Sequence, residues 1–356
     1  VRAEGEETAV ELFGALSQRR FDTAKIPGLS WIDRNTGRLV HNRPRPFIDN
    51  LDGLPRPVRE TRGLHNENTG DNRETYYPVV TTRGCPFGCR FCDVDVMAGR
   101  RFRVRSNARV VDEIENLVEV HGVQKIAIVD DIINFDRDRL AQLCDEIVRR
   151  RLAIVLWVMG RADRVVAHPE TAARMASAGV RTMFLGIESP HRRVLQAYKK
   201  GGKASHDVSV RAVEILRQSG IETWGAFMLG EPSETRDEIE ATIQFAKDLN
   251  PGTAQFTVLT PYPGTALWHD VENRLLTRNW DLYDAMHCVF RPDHLSPGEL
   301  EALCRKAYRD FYLQPARIAR AVFGRGRIGR PGLRLVSKVI KAMKTLYHSD
   351  DEMAAV

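Results

Sequence analysis

The stretch KIAIVDDIINFDRDRLAQLCDEIVRRRLAIVLWVMGR, residues 125–161, decides the fold. Lys125 to Val129 is a short apolar run that ends in Asp130–Asp131, and Ala153 to Met159 is a second that ends in Gly160–Arg161. Between them, Arg137 to Arg150 carries its apolar residues at helical spacing. Short apolar runs rich in β-branched residues read as strands, and the amphipathic segment as the crossover helix that joins them. The same punctuation recurs on both sides. Upstream, Tyr77 to Thr82 reads as a strand and Val110 to His121 as a helix opened by Ser106 or Asn107 and closed by Gly122. Downstream, Pro169 to Ala178, Val208 to Gln218 and Glu234 to Leu249 read as helices, with Arg181 to Ile187, Glu222 to Leu229 and Ala254 to Thr260 as strands. Six strands in alternation with helices predict an α/β fold with a parallel sheet and right-handed crossovers. The strands are apolar throughout and are expected to be buried on both faces.

Whether such a sheet is doubly wound or curled into a barrel, reactive groups gather at the carboxyl ends of its strands. Those ends carry Cys85 to Cys92, Asp130–Asp131, Arg161, Glu188, Glu231 and Thr260. Cys85-Pro-Phe-Gly-Cys89-Arg-Phe-Cys92 places three of the six cysteines on one loop. The chain opens without an apolar leader, which argues for a reducing compartment and against a disulfide framework. Three thiolates this close need a cation or a cluster to offset their repulsion. Structural zinc wants a fourth ligand, for which Asp93 and Asp95 are poor completers. A 4Fe–4S cluster on three cysteines leaves one iron open to a further molecule.

Composition narrows the rest. The 356 residues are 43% hydrophobic and 28% charged, which excludes a disordered chain and suffices for a core without disulfide staples. No run of apolar residues is long enough for a membrane span. The net charge of +6 is concentrated at one end: from Phe311 to His348 there is no acidic residue, and Arg317, Arg320, Arg325, Arg327, Arg330, Arg334, Lys338, Lys341 and Lys344 outnumber the whole excess. A nucleic-acid-binding body is therefore not expected. Leu333, Val336, Val339, Ile340, Met343 and Leu346 share a helical face opposite most of these cations. Such a helix packs on the barrel or lies on an anionic membrane surface. A zinc loop combined with this tail would make a zinc-containing nucleic-acid-binding module, the rival from another class. Residues 1–70 begin with a helix-spaced stretch, Glu6 to Arg19, and continue through Pro27, Pro44, Pro46, Pro55 and Pro57 as a connector. With neither an initiator Met nor a leader, the chain reads as a fragment or processed product located in the cytoplasm.

The spacing Cys85-x3-Cys89-x2-Cys92 after the first strand, Phe91 before the last cysteine and the six following units resemble the radical S-adenosylmethionine (SAM) superfamily. The resemblance implies a partial (β/α)6 TIM-type barrel over residues 71–265, with a 4Fe–4S cluster on Cys85, Cys89 and Cys92. It also implies SAM on the open iron, cleaved reductively to methionine and a 5′-deoxyadenosyl radical, with an electron donor such as flavodoxin or ferredoxin. Phe91 would lie near the adenine, and Asp130–Asp131 at the position that holds the SAM amino group. Arg161 would pair the SAM carboxylate, and Glu188 would accept from the ribose. Ion pairs across the barrel mouth are the structural alternative for these charges.

Ile26-Pro27-Gly28-Leu29-Ser30, Arg45-Pro46, Gly230 to Thr235 and Leu259 to Thr265 resemble the branch that carries an N-terminal cobalamin-binding domain. By that resemblance residues 1–70 are the remnant or linker after such a domain, and 266–356 a helical extension with the basic tail. The Asp-x-His-x-x-Gly cobalt-ligand pattern is absent, and too few residues precede the barrel to house that domain. Cobalamin would belong to a longer natural protein. The branch contains methyltransferases and oxidative cyclases, so the expected substrate is an unactivated carbon in a tetrapyrrole, lipid or secondary metabolite.

Overall fold

The computed structural model describes residues 1–18, 22–58, 76–200 and 204–323. Its centre is a six-stranded sheet of β1 (Tyr76–Val79), β2 (Lys125–Ile128), β3 (Val155–Gly160), β4 (Val180–Glu188), β5 (Glu222–Leu229) and β6 (Thr253–Val258). Every strand pairs parallel with its neighbour in sequence. A doubly wound sheet reverses its strand order at a switch point. This one does not, so of the two arrangements left open by the sequence it is the barrel type, with β1 and β6 as the outermost strands among the described residues.

Four of the crossover helices are held by side-chain caps at their starts, whereas Ala162–Ala167 and Glu170–Ser177 between β3 and β4 are not. Ser106 caps Asn107–Glu119, Asp136 caps Arg137–Arg149, Ser205 caps His206–Gln218, and Thr235 with Glu238 forms a capping box on Arg236–Leu249. The first strand is shorter than its apolar run. The backbone N–H groups of Thr81 and Thr82 donate to the Asp130 carboxylate at 2.6 and 3.0 Å, so the chain leaves the sheet after Val79. Thr82–Arg83 then pairs antiparallel with Arg103–Val104.

Burial along the strands alternates, which corrects the expectation of two sealed faces. Ile126, Ile128, Leu156, Val158, Met183, Leu185 and Phe227 are buried, whereas Ala127, Trp157, Met159, Phe184, Trp224 and Ala226 between them are only half-buried. The second set faces the inside of the open barrel. Trp157, Phe184 and Trp224 meet there with ring centroids 6.0 to 6.2 Å apart. Apolar residues lining a barrel and apolar residues under its helices look alike in sequence, hence the misreading.

The C-terminal region is helical, with Ala266–Val271, Pro297–Tyr312 and Pro315–Phe323. Pro297–Tyr312 covers the free edge of β6, where the Tyr308 and Tyr312 hydroxyls accept from Phe256 and Ala254 N–H at 3.2 and 3.1 Å. Those bonds occupy edge groups that would otherwise invite another strand. The amphipathic stretch Leu333 to Leu346, with the tail from residue 324, lies outside the described residues. Among the described residues, no helix is long and apolar enough to cross a membrane.

The lead-in is more than a connector. Helix Glu6–Ser17 reaches the flank of the cysteine loop through Glu6 and Arg83, and is followed by the antiparallel strand pair Ser30–Ile32 with Leu39–His41. Glu4 sits between Arg103 and Arg83, and its side chain is 8% exposed against 3% for Arg103.

Candidate active site at the barrel mouth

The cysteine loop spans the Thr82–Arg83 and Arg103–Val104 pair and is fixed at several points. Cys85 N–H donates to the Gly99 carbonyl at 3.3 Å, Arg90 N–H to the Tyr198 carbonyl at 3.0 Å, and Leu267 N–H to the Arg90 carbonyl at 2.8 Å. Gly84 makes the entry turn at φ +83°, and its N–H donates to Asp131 Oδ2 at 2.9 Å. An added Cβ there would press on the Arg101 carbonyl and fall 2.9 Å from the Gly99 carbonyl. Gly84→Ala is therefore expected to destabilise the fold by roughly 2 kcal/mol or more, because backbone on all sides cannot yield. Thermal unfolding of the variant checks this; an unchanged midpoint would contradict it.

Cys85, Cys89 and Cys92 are half-buried and unbridged. Burial pushes the Cys85 thiol up and that of Cys92 up to about 12, so neither ionises at neutral pH without a positive partner. Among the described residues, no three His, Cys, Asp or Glu side chains converge to hold a single metal ion. A cluster takes one thiolate per iron and spreads its ligands more widely than a mononuclear site. Three unbridged cysteines on one anchored loop at the strand ends fit that group.

The rim residues separate into those that face the mouth and those that build it. Asp130 is fully buried; Oδ1 accepts from Thr81 and Thr82 N–H, and Oδ2 from the Thr81 hydroxyl. It holds the exit of β1 and has no exposed oxygen for a ligand, contrary to the expected role. Asp131, half-buried and bound to Gly84 N–H, stands beside the loop. Arg161 also differs from expectation. Its fork is closed on Asp163 at 3.0 and 2.8 Å, Nη2 also donates to the Lys200 carbonyl at 2.6 Å, and the guanidinium lies 3.8 Å above the Phe87 ring. It remains close enough to Cys85 and Cys89 for their charges to act on it.

Glu188 ends β4 at a bulge, in left-handed conformation at φ +65°. Its carboxylate is paired with Lys200 Nζ, both side chains being buried. The pair passes over Gly186, where a Cβ would fall 2.5 Å from Glu188 Oε1 and 2.6 Å from Lys200 Nζ. A non-glycine residue held at positive φ costs of order 1 kcal/mol and is found most often at functional sites. Phe91 packs edge-on against Tyr198, 5.1 Å between centroids. Lys200, Asp163, Tyr198 and Phe87 were not singled out from the sequence. Only Phe87, lying between two cysteines of the loop, carried a signal that marked it.

Glu234, after β5, caps its own turn by accepting from Gly230 and Glu231 N–H at 2.8 and 3.1 Å. Its other oxygen and the Tyr198 hydroxyl are buried without hydrogen-bond partners among the described residues. Burial pushes the Glu234 carboxyl from 4.5 up to about 7. The folded state thus holds a proton that the unfolded chain releases, so stability is lost as pH rises from 4.5 through about 7. Glu234→Gln, which keeps an acceptor for both N–H groups, is expected to gain about 3 kcal/mol relative to the parent between pH 4.5 and 8. Urea unfolding at both pH values checks this, and a pH-independent difference would contradict it.

The basic run after the loop alternates. Arg103 and Arg105 turn inward to Glu4 and Glu113, while Arg100 and Arg101 are exposed and paired with Asp95 and Asp49. Gly230 and Gly264 make tight exits at φ +94° and +85°. Cys288 is buried, and its neighbour His287 pairs with Asp284.

Comparison with known proteins agrees with this geometry. The model of the radical SAM superfamily matches residues 79–246. The uncharacterized methyltransferase PH0819 of Pyrococcus horikoshii is 36% identical over 325 residues, 91% of this chain and 69% of that protein. The chain belongs to the radical SAM superfamily, whose members use a 4Fe–4S cluster and SAM. The anaerobic magnesium-protoporphyrin IX monomethyl ester cyclase of Rubrivivax gelatinosus is 27% identical over 318 residues, and the chain spans 89% of its own length but only 56% of the cyclase. Among solved structures, the radical SAM methyltransferase TsrM of Kitasatospora setae, with cobalamin and a 4Fe–4S cluster bound, superposes with a TM-score of 0.66. At 22% identity over 91% of this chain and 70% of that one, it shares the fold.

Proposed function

We propose that this chain is the catalytic barrel of a radical SAM methyltransferase or oxidative cyclase that acts on an unactivated carbon of a tetrapyrrole, lipid or secondary metabolite. The observation that carries it is the anchored loop of Cys85, Cys89 and Cys92 above an open, aromatic-lined barrel. Cys85, Cys89 and Cys92 would hold the cluster. Cluster and SAM together supply a one-electron cleavage and a carbon radical able to remove hydrogen from an unactivated position.

The protein's own residues arrange the reactants. Phe91 on Tyr198 offers an aromatic face beside the loop for the adenine. Asp131 presents a half-buried carboxylate for the SAM amino group. The Glu188–Lys200 pair offers an acceptor and a donor, the first for ribose hydroxyls and the second for a carboxylate. Arg161, stacked on Phe87 and closed on Asp163, keeps a positive charge against the loop, which favours bound thiolate sulfur. The barrel interior, with Trp157, Phe184 and Trp224, excludes water from the reacting carbon. The cyclase and TsrM support the tetrapyrrole and cobalamin elements. Cobalamin would be held by a part of the protein outside these residues, with reductant from a flavodoxin or ferredoxin. The basic tail would give peripheral contact with a membrane surface.

Anaerobic reconstitution with iron and sulfide, followed by SAM and dithionite, tests the reading. Formation of 5′-deoxyadenosine is expected. SAM left intact by cluster-loaded protein would overturn it.

A further inference from the structure

The exits of the first three strands carry a group of side chains of which the arrangement above uses only Phe87 and Arg161. Phe87 in the cysteine loop, Phe102 at its far end and Phe135 after β2 form a row of rings, with centroids 6.1 Å apart for Phe87–Phe135 and 5.0 Å for Phe102–Phe135. Two guanidiniums lie on this row. Arg161 covers Phe87, and Arg164, one turn further along helix Ala162–Ala167, lies 5.6 Å from the Phe87 centroid and 5.1 Å from that of Phe135.

The two cations differ in what their N–H groups hold. Arg161 is neutralised by Asp163 and bonded to the Lys200 carbonyl. Among the described residues, Arg164 makes no ion pair and its guanidinium no hydrogen bond, and the guanidinium lies against two ring faces. Aromatic faces attract and orient a guanidinium through their quadrupole without using any of its five donors. Its planar fork is therefore pre-set for a planar anion, and a carboxylate matches it in bidentate fashion. The surrounding rings add an apolar bed and lower the local dielectric, which strengthens such a pair. Position separates the two arginines as well. Arg161 is coupled to the charges of Cys85 and Cys89, whereas Arg164 stands a helical turn beyond it.

We propose that Arg164, seated on Phe87 and Phe135, binds a carboxylate at the edge of a planar apolar substrate. The inference rests on the function proposed above and narrows its substrate class. A tetrapyrrole with a free propionate fits this docking point; a neutral polycyclic lipid leaves the cation unpaired.

The test titrates reconstituted protein with protoporphyrin IX and with its dimethyl ester, following tryptophan fluorescence and the Soret band. The parent protein is expected to prefer the free acid by about tenfold, the worth of one charge-assisted bidentate contact. Arg164→Gln is expected to weaken the acid to the level of the diester while leaving diester binding unchanged. Arg164→Lys, which keeps the charge and loses the fork, is expected to fall between. Equal binding of acid and diester by the parent protein, or no change in Arg164→Gln, would overturn the proposal. S-adenosylhomocysteine titrated in parallel guards the assignment: if Arg164→Gln weakens it and spares the porphyrin, the carboxylate is the cofactor's and the proposal is wrong. Failure of the parent protein to cleave SAM would remove the underlying function instead, a result read separately from either titration.

Discussion

Replacing Cys85, Cys89 and Cys92 together by alanine is expected to lower SAM-dependent 5′-deoxyadenosine formation by roughly a thousandfold or more, more than 4 kcal/mol of barrier. The reason is the donor set. All three sulfurs come from one loop of eight residues between Cys85 and Cys92. Each is unbridged, and no fourth cysteine stands on that loop to replace a lost ligand. The remaining cysteines provide the contrast. Cys144, Cys288 and Cys304 are buried, and the Cys304 thiol points to the Phe256 carbonyl at 3.7 Å. Cys144→Ala or Cys304→Ala is expected to cost about 1 kcal/mol of stability, the loss of a small buried side chain, with iron content retained. Equal iron loss in the core variants and the loop variants would contradict the assignment of the loop.

Glu4→Ala is expected to have a large effect on stability although it lies outside the barrel. Arg103 donates through Nη1 to both Glu4 oxygens at 2.9 and 2.8 Å and to the Ile48 carbonyl at 2.6 Å. Its Nη2 reaches the Ala98 carbonyl at 2.8 Å, and Phe47 lies under the guanidinium at 5.2 Å. Glu4 also accepts from Arg83 at 3.0 Å and from Ile48 N–H at 2.7 Å. Burial works to raise the Glu4 pKa, but Arg103, Ile48 and Arg83 overcome it and hold the carboxyl below its ordinary value. Removing the carboxylate leaves the buried Arg103 without an anion, while Arg83 keeps Glu6, a loss of about 3–5 kcal/mol. Ala98 and Arg83 flank the cysteines, so the damage is also local. In metal-free Glu4→Ala protein, alkylation of Cys85, Cys89 and Cys92 is expected to quicken by about tenfold through local opening of the loop. Guanidinium unfolding and mass-resolved alkylation check both parts. A variant that unfolds at the parent midpoint with unchanged alkylation would contradict the clamp.

Local rules made the barrel legible. Caps such as Ser106 and Asp136, and the apolar runs ending in Asp131, Arg161 and Glu188, are written within a few residues of one another, so element order followed from the sequence. The loop of three cysteines was legible for the same reason. What escaped was long-range pairing. Nothing within reach of Asp130 in sequence shows that Thr81 and Thr82 will enclose it, and nothing near Arg161 shows that the Lys200 carbonyl will take one of its donors. Glu4 and Arg103 lie 99 residues apart, and only the folded chain joins them. The half-open strand face escaped for a different reason: Trp157, Phe184 and Trp224 are as apolar as core residues, and hydrophobicity alone does not say which side of a strand is roofed by helices.

The most direct measurement is the iron, acid-labile sulfide and zinc content of anaerobically purified and reconstituted protein, taken beside the Cys85→Ala/Cys89→Ala/Cys92→Ala variant. The cluster assignment predicts about four irons and four sulfides per chain, lost together in the variant. One zinc per chain, with iron no higher in the parent protein than in the variant, would contradict it and turn the same three cysteines into a structural metal loop.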